Sequence, residues 1–451
     1  MQARWGRLGE HTAYAAVEED HTRTEPTSVS DILDELQWRG AVAQTTDEAA
    51  LREALAAGPL TLYCGFDPTA PSLHFGNFVQ LVALRRFQRA GHKVICLVGG
   101  STGLIGDPRP TAERELKTLE QTAANVARIK ELVQPFLDFD GSSGVAHPAV
   151  MVDNLDWTAP MSALDFLRDV GKHFRVNQMV KKDAIAARLE SQEGISYTEF
   201  SYQLLQALDF LELYRTQGCT MQLGGSDQCG NMTAGVDLIH KVEGGSAHVL
   251  TSPLLTDAAG VKFGKSEGNA IWLSADMTSP YAFYQYFLNI EDASVITLLK
   301  VFTDRGQADI AELERQVAEE PFRRAAQKAL AADMTTLVHG AEATQSVQAA
   351  SEALFGKGDI TALDARTLAD ATAELPSGVV TPGMSVTDAL VAVGLVDSRN
   401  AARRAIGEGG ASMNGARIQD AEHVLTEADF LHGQVVLLRR GRKAQAAGRR
   451  D

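Results

Sequence analysis

Two loops and one helix face in this sequence hold side chains suited to handling phosphate and hydroxyl groups. In Tyr63-Cys-Gly-Phe-Asp67-Pro-Thr69-Ala-Pro-Ser-Leu-His74-Phe-Gly76-Asn77 a short apolar run leads into a loop with a histidine and a glycine, directly before residues at helical spacing. Unpaired N–H groups at a helix start favour phosphate, and a glycine lets a ligand approach the backbone. The stretch reads as an anion site of nucleotide size, although a lone histidine before a helix is more often an ordinary loop residue. The second loop, Lys262-Phe-Gly-Lys265-Ser266, follows the turn Asp257-Ala-Ala-Gly260. Two mobile ammonium groups flanking a glycine can follow a polyphosphate as it moves. A Walker loop does not fit, because Gly260 and Gly264 are separated by three residues where that motif has four. The loop Gly99-Gly-Ser-Thr-Gly103-Leu-Ile-Gly106 likewise lacks dinucleotide spacing and runs into Asp107-Pro108 instead of a helix. Finally, Tyr202, Gln206 and Asp209 fall at i, i+4 and i+7 of a helical pattern and share one face. On spacing alone such a polar face is solvated.

These residues need a frame, and the frame reads as alternating strands and helices. Leu60 to Phe66 and Val94 to Val98 are apolar runs suited to buried strands, and Phe78 to Arg89 between them has helical spacing ended by Gly91. Strand, helix and strand make a βαβ unit, so a parallel sheet with a right-handed crossover is expected. The alternation continues through a helical pattern from Glu113 to Leu137, a strand from Ala149 to Asp153, helices from Ser162 to His173 and Thr198 to Thr216, and a strand near Met221 to Leu223. Residues 30–290 therefore read as a doubly wound α/β domain. Ser30 to Arg39 and Thr46 to Ala57 open it as two short capped helices. Residues 291–374 are rich in Ala, Glu and Gln at helical spacing and read as a separate helical domain. Leu375-Pro-Ser-Gly and Thr381-Pro-Gly mark a linker over 375–383, and residues 384–451 read as short helices followed by strands.

Composition narrows the function. The chain has 451 residues and 45% hydrophobic content, enough for two or more cores. No apolar run approaches the roughly 20 residues of a membrane span, so no membrane association is expected. Residues 1–29 carry Glu10, Glu18, Glu19, Asp20 and Glu25 among a few arginines, which fits a disordered extension and not an acid-poor transit peptide. The four cysteines, Cys64, Cys96, Cys219 and Cys229, form no C-x-x-C pair. Neither a disulfide framework nor a metal site is expected, and a cytoplasmic location fits. A net charge of −16 taken alone argues against a nucleic-acid partner. Yet residues 384–451 hold ten Lys and Arg against eight Asp and Glu, so a near-neutral tail with clustered arginines sits on an acidic body.

Together the two loops resemble the HIGH and KMSKS signatures of class I aminoacyl-tRNA synthetases, with His74-Phe-Gly-Asn77 and Lys262-Phe-Gly-Lys265-Ser266 in those places. Tyr63-Cys-Gly-Phe-Asp-Pro-Thr, Gly103-Leu-Ile-Gly-Asp-Pro, Thr198-Glu-Phe-Ser-Tyr202 and Gly224-Gly-Ser-Asp-Gln228 narrow the resemblance to tyrosyl enzymes of bacterial type, over nearly the whole chain from Ser30. The resemblance implies a Rossmann-like catalytic domain, a helical anticodon-binding domain and a C-terminal RNA-binding domain. It implies that tyrosine is activated with ATP to tyrosyl adenylate and then esterified to tRNA(Tyr), with ATP and Mg2+ as substrate and no tightly bound cofactor. His74, Asn77, Lys262, Lys265 and Ser266 then serve catalysis. Tyr63 and Asp209 hold the substrate phenol, while Asp107, Tyr202, Gln206 and Gln228 surround its ammonium and carboxylate. Asp67, Thr69, Gly76, Gly225, Asp227 and Lys265 contact ATP or the adenylate. Arg399, Arg403 and Arg404 face RNA phosphates, in a tail similar to the small RNA-binding domain of a ribosomal protein and of pseudouridine synthases. A homodimer is implied, with Ala123 to Phe139 as a contact. Asn77 and Cys229 depart from the pattern, the first keeping a hydrogen-bond donor for phosphate, the second replacing Trp and altering the packing under its loop.

Two rival readings remain. A tryptophanyl enzyme shares the sheet and both phosphate loops, but Tyr63, Asp209 and the RNA-binding tail speak against it. A noncatalytic RNA-binding relative would have no physical need of His74, Lys262 and Lys265.

Overall fold

The computed structural model describes residues 32–109, 115–192, 194–256, 263, 265–266, 269–355, 358–441 and 444–450. The extension expected over residues 1–29 lies outside the described residues. A six-stranded sheet forms from β1 (Gln44–Thr45), β2 (Thr61–Phe66), β3 (Lys93–Val98), β4 (Val150–Asp153), β5 (Met221–Gly225) and β6 (His248–Ser252), in the order β1-β6-β5-β2-β3-β4. All neighbours are parallel except β1 on β6, an antiparallel edge with Gln44 opposite Thr251. From β2 the chain builds outward through β3 and β4, then returns to lay β5 and β6 on the other side. The order reverses between β2 and β5, and in such sheets a crevice opens at the carboxyl ends of the strands on either side of that point.

The helices begin where local chemistry directs. Helix α1 (Phe75–Arg89) starts before the apolar spacing does, so that His74 is its N-cap residue. Helix α2 (Leu119–Val133) is shorter than the Glu113 to Leu137 pattern, because Thr118 and Gln121 form a reciprocal capping box that fixes its start. Helix α3 (Tyr197–Gln217) is capped by Ser196 and packs on α4 (Cys229–Glu243). The stretch expected as a helix from Ser162 to His173 breaks into a short α turn, a π turn over Phe166–Val170 and a 3-10 turn over Gly171–His173.

The helical layer begins at Pro280 and not at Glu291, with Pro280–Leu288 packed on Ala325–His339. It shares one core with the sheet domain: the ring of Phe75, next to His74, lies tilted at 4.5 Å from that of Phe302 and edge-on at 5.1 Å from that of Phe287. The carbonyls ending helix Asp292–Phe302 are taken up by two arginines of the sheet domain. Arg39 donates to the oxygens of Lys300 (2.8 Å), Thr303 (3.0 Å) and Arg305 (3.1 Å), and Arg86 to those of Val301 (2.6 Å) and Thr303 (2.9 Å). Cations at the negative end of a helix are favourable, and orphan carbonyls need donors. Burial nonetheless pulls the Arg86 guanidinium down to about 9, with Arg39 adding to the effect. Replacing Arg86 by Met leaves the Val301 oxygen without its charged donor and the Thr303 oxygen with Arg39 alone. The expected loss of stability is about 2–3 kcal/mol in urea unfolding, and an unchanged midpoint would show the clamp to be idle.

The segment expected as a linker contributes a strand. β9 (Ser377–Val379) runs parallel to β13 (Ala444–Arg449) in a sheet of order β11-β10-β12-β13-β9, with β10 (Ala411–Met413), β11 (Ala416–Arg417) and β12 (Val435–Arg440). Asn414 and Gly415 join β10 to β11 with φ of 49° and 83°, the left-handed pair a two-residue hairpin requires. This unit docks on the helical layer. Val435, Leu437 and Ala447 belong to the same core as Ile360, Leu363 and Leu368, while His432 Nε2 reaches the Leu363 oxygen at 2.7 Å and Arg449 the Thr372 oxygen at 2.8 Å. Among the described residues no helix is long and apolar enough to cross a membrane.

Candidate active site

Strand ends deliver most of the candidate residues. Tyr63 lies in β2, and Asp67 and Thr69 follow its carboxyl end; Gly99, Gly100 and Thr102 follow β3; Asn154 follows β4; Gly225 ends β5, with Asp227 and Gln228 beyond it. The glycines make room for carboxylates. A Cβ at Gly99 would stand 2.2 Å from Asp67 Oδ1, one at Gly100 2.2 Å from Asp153 Oδ1, and one at Gly225 2.6 Å from Asp227 Oδ1.

The face of α3 carrying Tyr202, Gln206 and Asp209 turns inward, against what spacing alone suggests. Asp209 is 3% exposed, and its carboxylate accepts from Asn154 Nδ2 (3.0 Å) and Trp157 Nε1 (2.9 Å). Burial pushes this carboxyl up to about 7, opposed by those two hydrogen bonds. Tyr63, 1% exposed and tilted against Phe210 at 5.3 Å, carries a hydroxyl with no hydrogen-bond partner within the protein. Burial and then the Asp209 charge raise its phenol well above the ordinary range, so it stays protonated as a donor. Gln206 Oε1 is also buried without a protein partner. Orphaned buried polar atoms are rare in native proteins and mark places where a ligand supplies the missing bond. A phenol hydroxyl can satisfy this pair, accepting from Tyr63 and donating to Asp209.

Further along α3 the Tyr202 hydroxyl donates to Asp67 Oδ2 at 2.7 Å, and Thr102 Oγ1 to Asp67 Oδ1 at 2.7 Å. Asp107 accepts from Gln228 Nε2 (2.9 Å) and Asn231 Nδ2 (3.1 Å). Two carboxylates, held by neutral donors, thus stand beside the helix face and can receive an ammonium. Thr69 lines a cavity of about 470 Å³ together with Gly103, Arg109, Lys117 and Gln121.

The two phosphate loops are laced together. β7 (Lys265–Ser266) pairs antiparallel with β8 (Asn269–Ala270), and the strand continues alongside the His74 loop. Phe75 N donates to the Ile271 oxygen (2.8 Å), Leu273 N to the Leu73 oxygen (3.0 Å), and His74 bridges to Trp272 with ring centroids 6.2 Å apart. The imidazole does not cap α1, whose first turn holds Gly76 and Asn77. A Cβ at Gly76 would sit 2.8 Å from the ring, so a larger residue there would push the imidazole aside. Lys262 and the turn from Asp257 to Gly260 lie outside the described residues.

Arg399, Arg403 and Arg404 lie on helix Arg399–Gly407, far along the chain from these loops. All three are exposed; Arg399 pairs with Asp388 and Arg403 with Glu422 at 3.1 Å. Sequence reasoning missed Asn154, Trp157 and Asn231. Asn154 was within reach, since it follows a strand end directly; the others follow from pairing across the fold and carry no local signal.

Residues 55–356 match the family described as tRNA synthetases class I (W and Y), so the sheet, strand-end site and laced loops are those of a class I aminoacyl-tRNA synthetase. Residues 367–446 match the Tyrosine–tRNA ligase SYY-like C-terminal domain. The tyrosine–tRNA ligase of Streptomyces coelicolor is 57% identical over 420 residues, covering 93% of this chain and 99% of the relative. That of Leifsonia xyli subsp. xyli is 58% identical over 420 residues, covering 93% and 94%. A C-terminally truncated Coccidioides posadasii mitochondrial tyrosyl-tRNA synthetase superposes with a TM-score of 0.61 at 32% identity, over 70% of this chain and 90% of that one. A tryptophanyl-tRNA synthetase from Encephalitozoon cuniculi, at 14% identity and a TM-score of 0.52 over 71% of this chain and 91% of that one, shares the fold alone. The chain belongs to the tyrosyl-tRNA synthetases of bacterial type.

Proposed function

We propose that tyrosine is activated at the carboxyl ends of β2 to β5, where the unpartnered Tyr63 hydroxyl and the buried Asp209 carboxylate read its phenol. The reaction joins L-tyrosine to ATP as tyrosyl adenylate with release of diphosphate, then passes tyrosine to the 3′ end of tRNA(Tyr). The tyrosine carboxylate attacks the α-phosphate directly, so the protein's task is to align the two and stabilise developing charge. Asp107, Tyr202, Gln206 and Gln228 hold the amino-acid end. Asp67, Thr69, Gly76, Gly225 and Asp227 line the nucleotide, with Asp227 accepting from ribose hydroxyls. His74 and Asn77 bind phosphate oxygens as they gain charge, and Lys262, Lys265 and Ser266 follow the departing diphosphate, which carries its magnesium as part of the ATP substrate.

Arg399, Arg403 and Arg404 bind tRNA phosphates, exchanging exposed carboxylate partners for RNA at little cost, since exposed ion pairs contribute little. A homodimer forms along α2. Leu119 (68% exposed) and Val150 stand open there, beside a cavity of about 270 Å³ lined by Leu104, Ala123, Val126 and Leu155. Burying such a patch is favourable.

The observation that carries this reading is the pair Tyr63 and Asp209, a buried donor and acceptor matched to one hydroxyl. Amino-acid-dependent exchange of labelled pyrophosphate into ATP, run across the twenty amino acids, should respond to tyrosine alone. Equal exchange with tryptophan or phenylalanine would refute the assignment.

A further inference from the structure

Lys182 is a half-buried cation that none of these assignments uses. It stands in the turn before helix Asp183–Glu190, and its Nζ donates to Asn231 Oδ1 at 2.7 Å. Its stem crosses the first turn of α4, where Gly230 leaves space: a Cβ there would lie 3.2 Å from Lys182 Cε. The place is doubly unfavourable for a cation, because burial strips its water and a helix N-terminus is the positive end. Burial pulls the ammonium down to about 7, with Asp107 opposing. Stability alone gives no reason to keep it there.

What the ammonium does is choose an orientation. An ammonium only donates, whereas an amide has one accepting and one donating end. Facing Lys182, Asn231 must present Oδ1, which turns its Nδ2 toward Asp107 Oδ1 (3.1 Å) and Gln228 Oε1 (3.2 Å). With its Oε1 occupied, Gln228 turns Nε2 to Asp107 Oδ2 at 2.9 Å. Each amide is set by the one before it, and the chain of donors starts at Lys182.

We propose that Lys182 is a positioning residue for tyrosine activation, acting through Asn231 to fix the Gln228 amide and the Asp107 carboxylate against the ammonium and carboxylate of the substrate. The inference rests on the proposed reading of Asp107 and Gln228 as contacts to that end of tyrosine.

Pyrophosphate-exchange kinetics of the full chain test it, with Lys182→Met, Lys182→Arg, Asn231→Ala, the Met–Ala double variant, and Gln228→Ala as reference. Lys182→Met should raise the tyrosine KM about tenfold and leave the ATP KM unchanged. Asn231→Ala should match it, and the double variant should be no worse than either single change, because both break one chain of bonds. Lys182→Arg, which can still donate to Asn231, should recover part of the loss. Should Lys182→Met not fold, Lys182→Leu takes its place, removing the donor while keeping an apolar side chain in the same space. A tyrosine KM within twofold of wild type in Lys182→Met, with Gln228→Ala impaired, overturns the inference, as do additive losses in the double variant. An unimpaired Gln228→Ala overturns the reading of Gln228 and the inference with it.

Discussion

Lys265→Ala should lower the maximal rate of tyrosine-dependent pyrophosphate exchange by about a hundredfold to a thousandfold, the effect of removing one donor aimed at transition-state charge. The tyrosine KM should change little. Lys265 opens a two-stranded hairpin whose second strand runs on beside the His74 loop, with Phe75 bonded to Ile271 and Leu273 to Leu73. Backbone pairing therefore ties the hairpin to the start of α1, which carries Gly76 and Asn77. On the proposed reading the Lys265 ammonium meets the diphosphate as the bond to the α-phosphate breaks, when negative charge on the leaving oxygens is largest. On the same reading the amino acid binds elsewhere, around α3, so the loss falls on rate. Unchanged exchange would remove Lys265 from the chemistry.

Asp209→Ala should lower kcat/KM for tyrosine by about a hundredfold and erase most of the preference over phenylalanine. The proposed pocket sets the unpartnered Tyr63 hydroxyl and the buried Asp209 carboxylate around one substrate hydroxyl. When phenylalanine enters, the Tyr63 hydroxyl and the Asp209 carboxylate stay buried without the partner they were placed for, and each such group costs about 1–3 kcal/mol. Rejection through unpaired polar groups is a rule for which tyrosyl enzymes are themselves the standard illustration, so only the residues are assigned here. With Ala at 209, Asn154 Nδ2 and Trp157 Nε1 lose their acceptor as well. Asp209→Asn keeps the shape and is the cleaner comparison, since it alters the acceptor and leaves the volume. Retained discrimination in both variants would move phenol recognition to another residue.

How far the sequence reveals this site depends on whether a residue acts through local spacing or across the fold. The βαβ start was legible because β2, with Leu62, Cys64 and Phe66 on one face and Tyr63 on the other, and the run in β3 are apolar on both sides, as strands covered by helices must be. Glycine and charge marked the loops at His74 and Lys265 only as candidates for phosphate chemistry, and it was the resemblance that joined them into one site. The helix face at Tyr202, Gln206 and Asp209 was not legible, because a buried polar face and a wet one have the same period, and only the resemblance separated them. Trp157 and Asn231 had no signal, since their work is to orient side chains distant in the chain. The linker was misjudged for a different reason: Pro376 and Gly378 look like turn residues, yet β9 is an edge strand. Proline before an edge strand loses no ladder bond, and the Pro376 oxygen accepts from Ala447.

That edge strand alters what cutting the chain would mean. Deleting everything after Leu375 does not lift off a freely hinged module. It strips Val435, Leu437 and Ala447 from Ile360, Leu363 and Leu368, leaving greasy helix sides open to water. It also leaves the Leu363 and Thr372 oxygens without His432 and Arg449. A shortened protein that charged tRNA poorly would be reporting a wounded helical bundle as much as a missing RNA grip, and only point changes on the arginine helix can tell those two injuries apart.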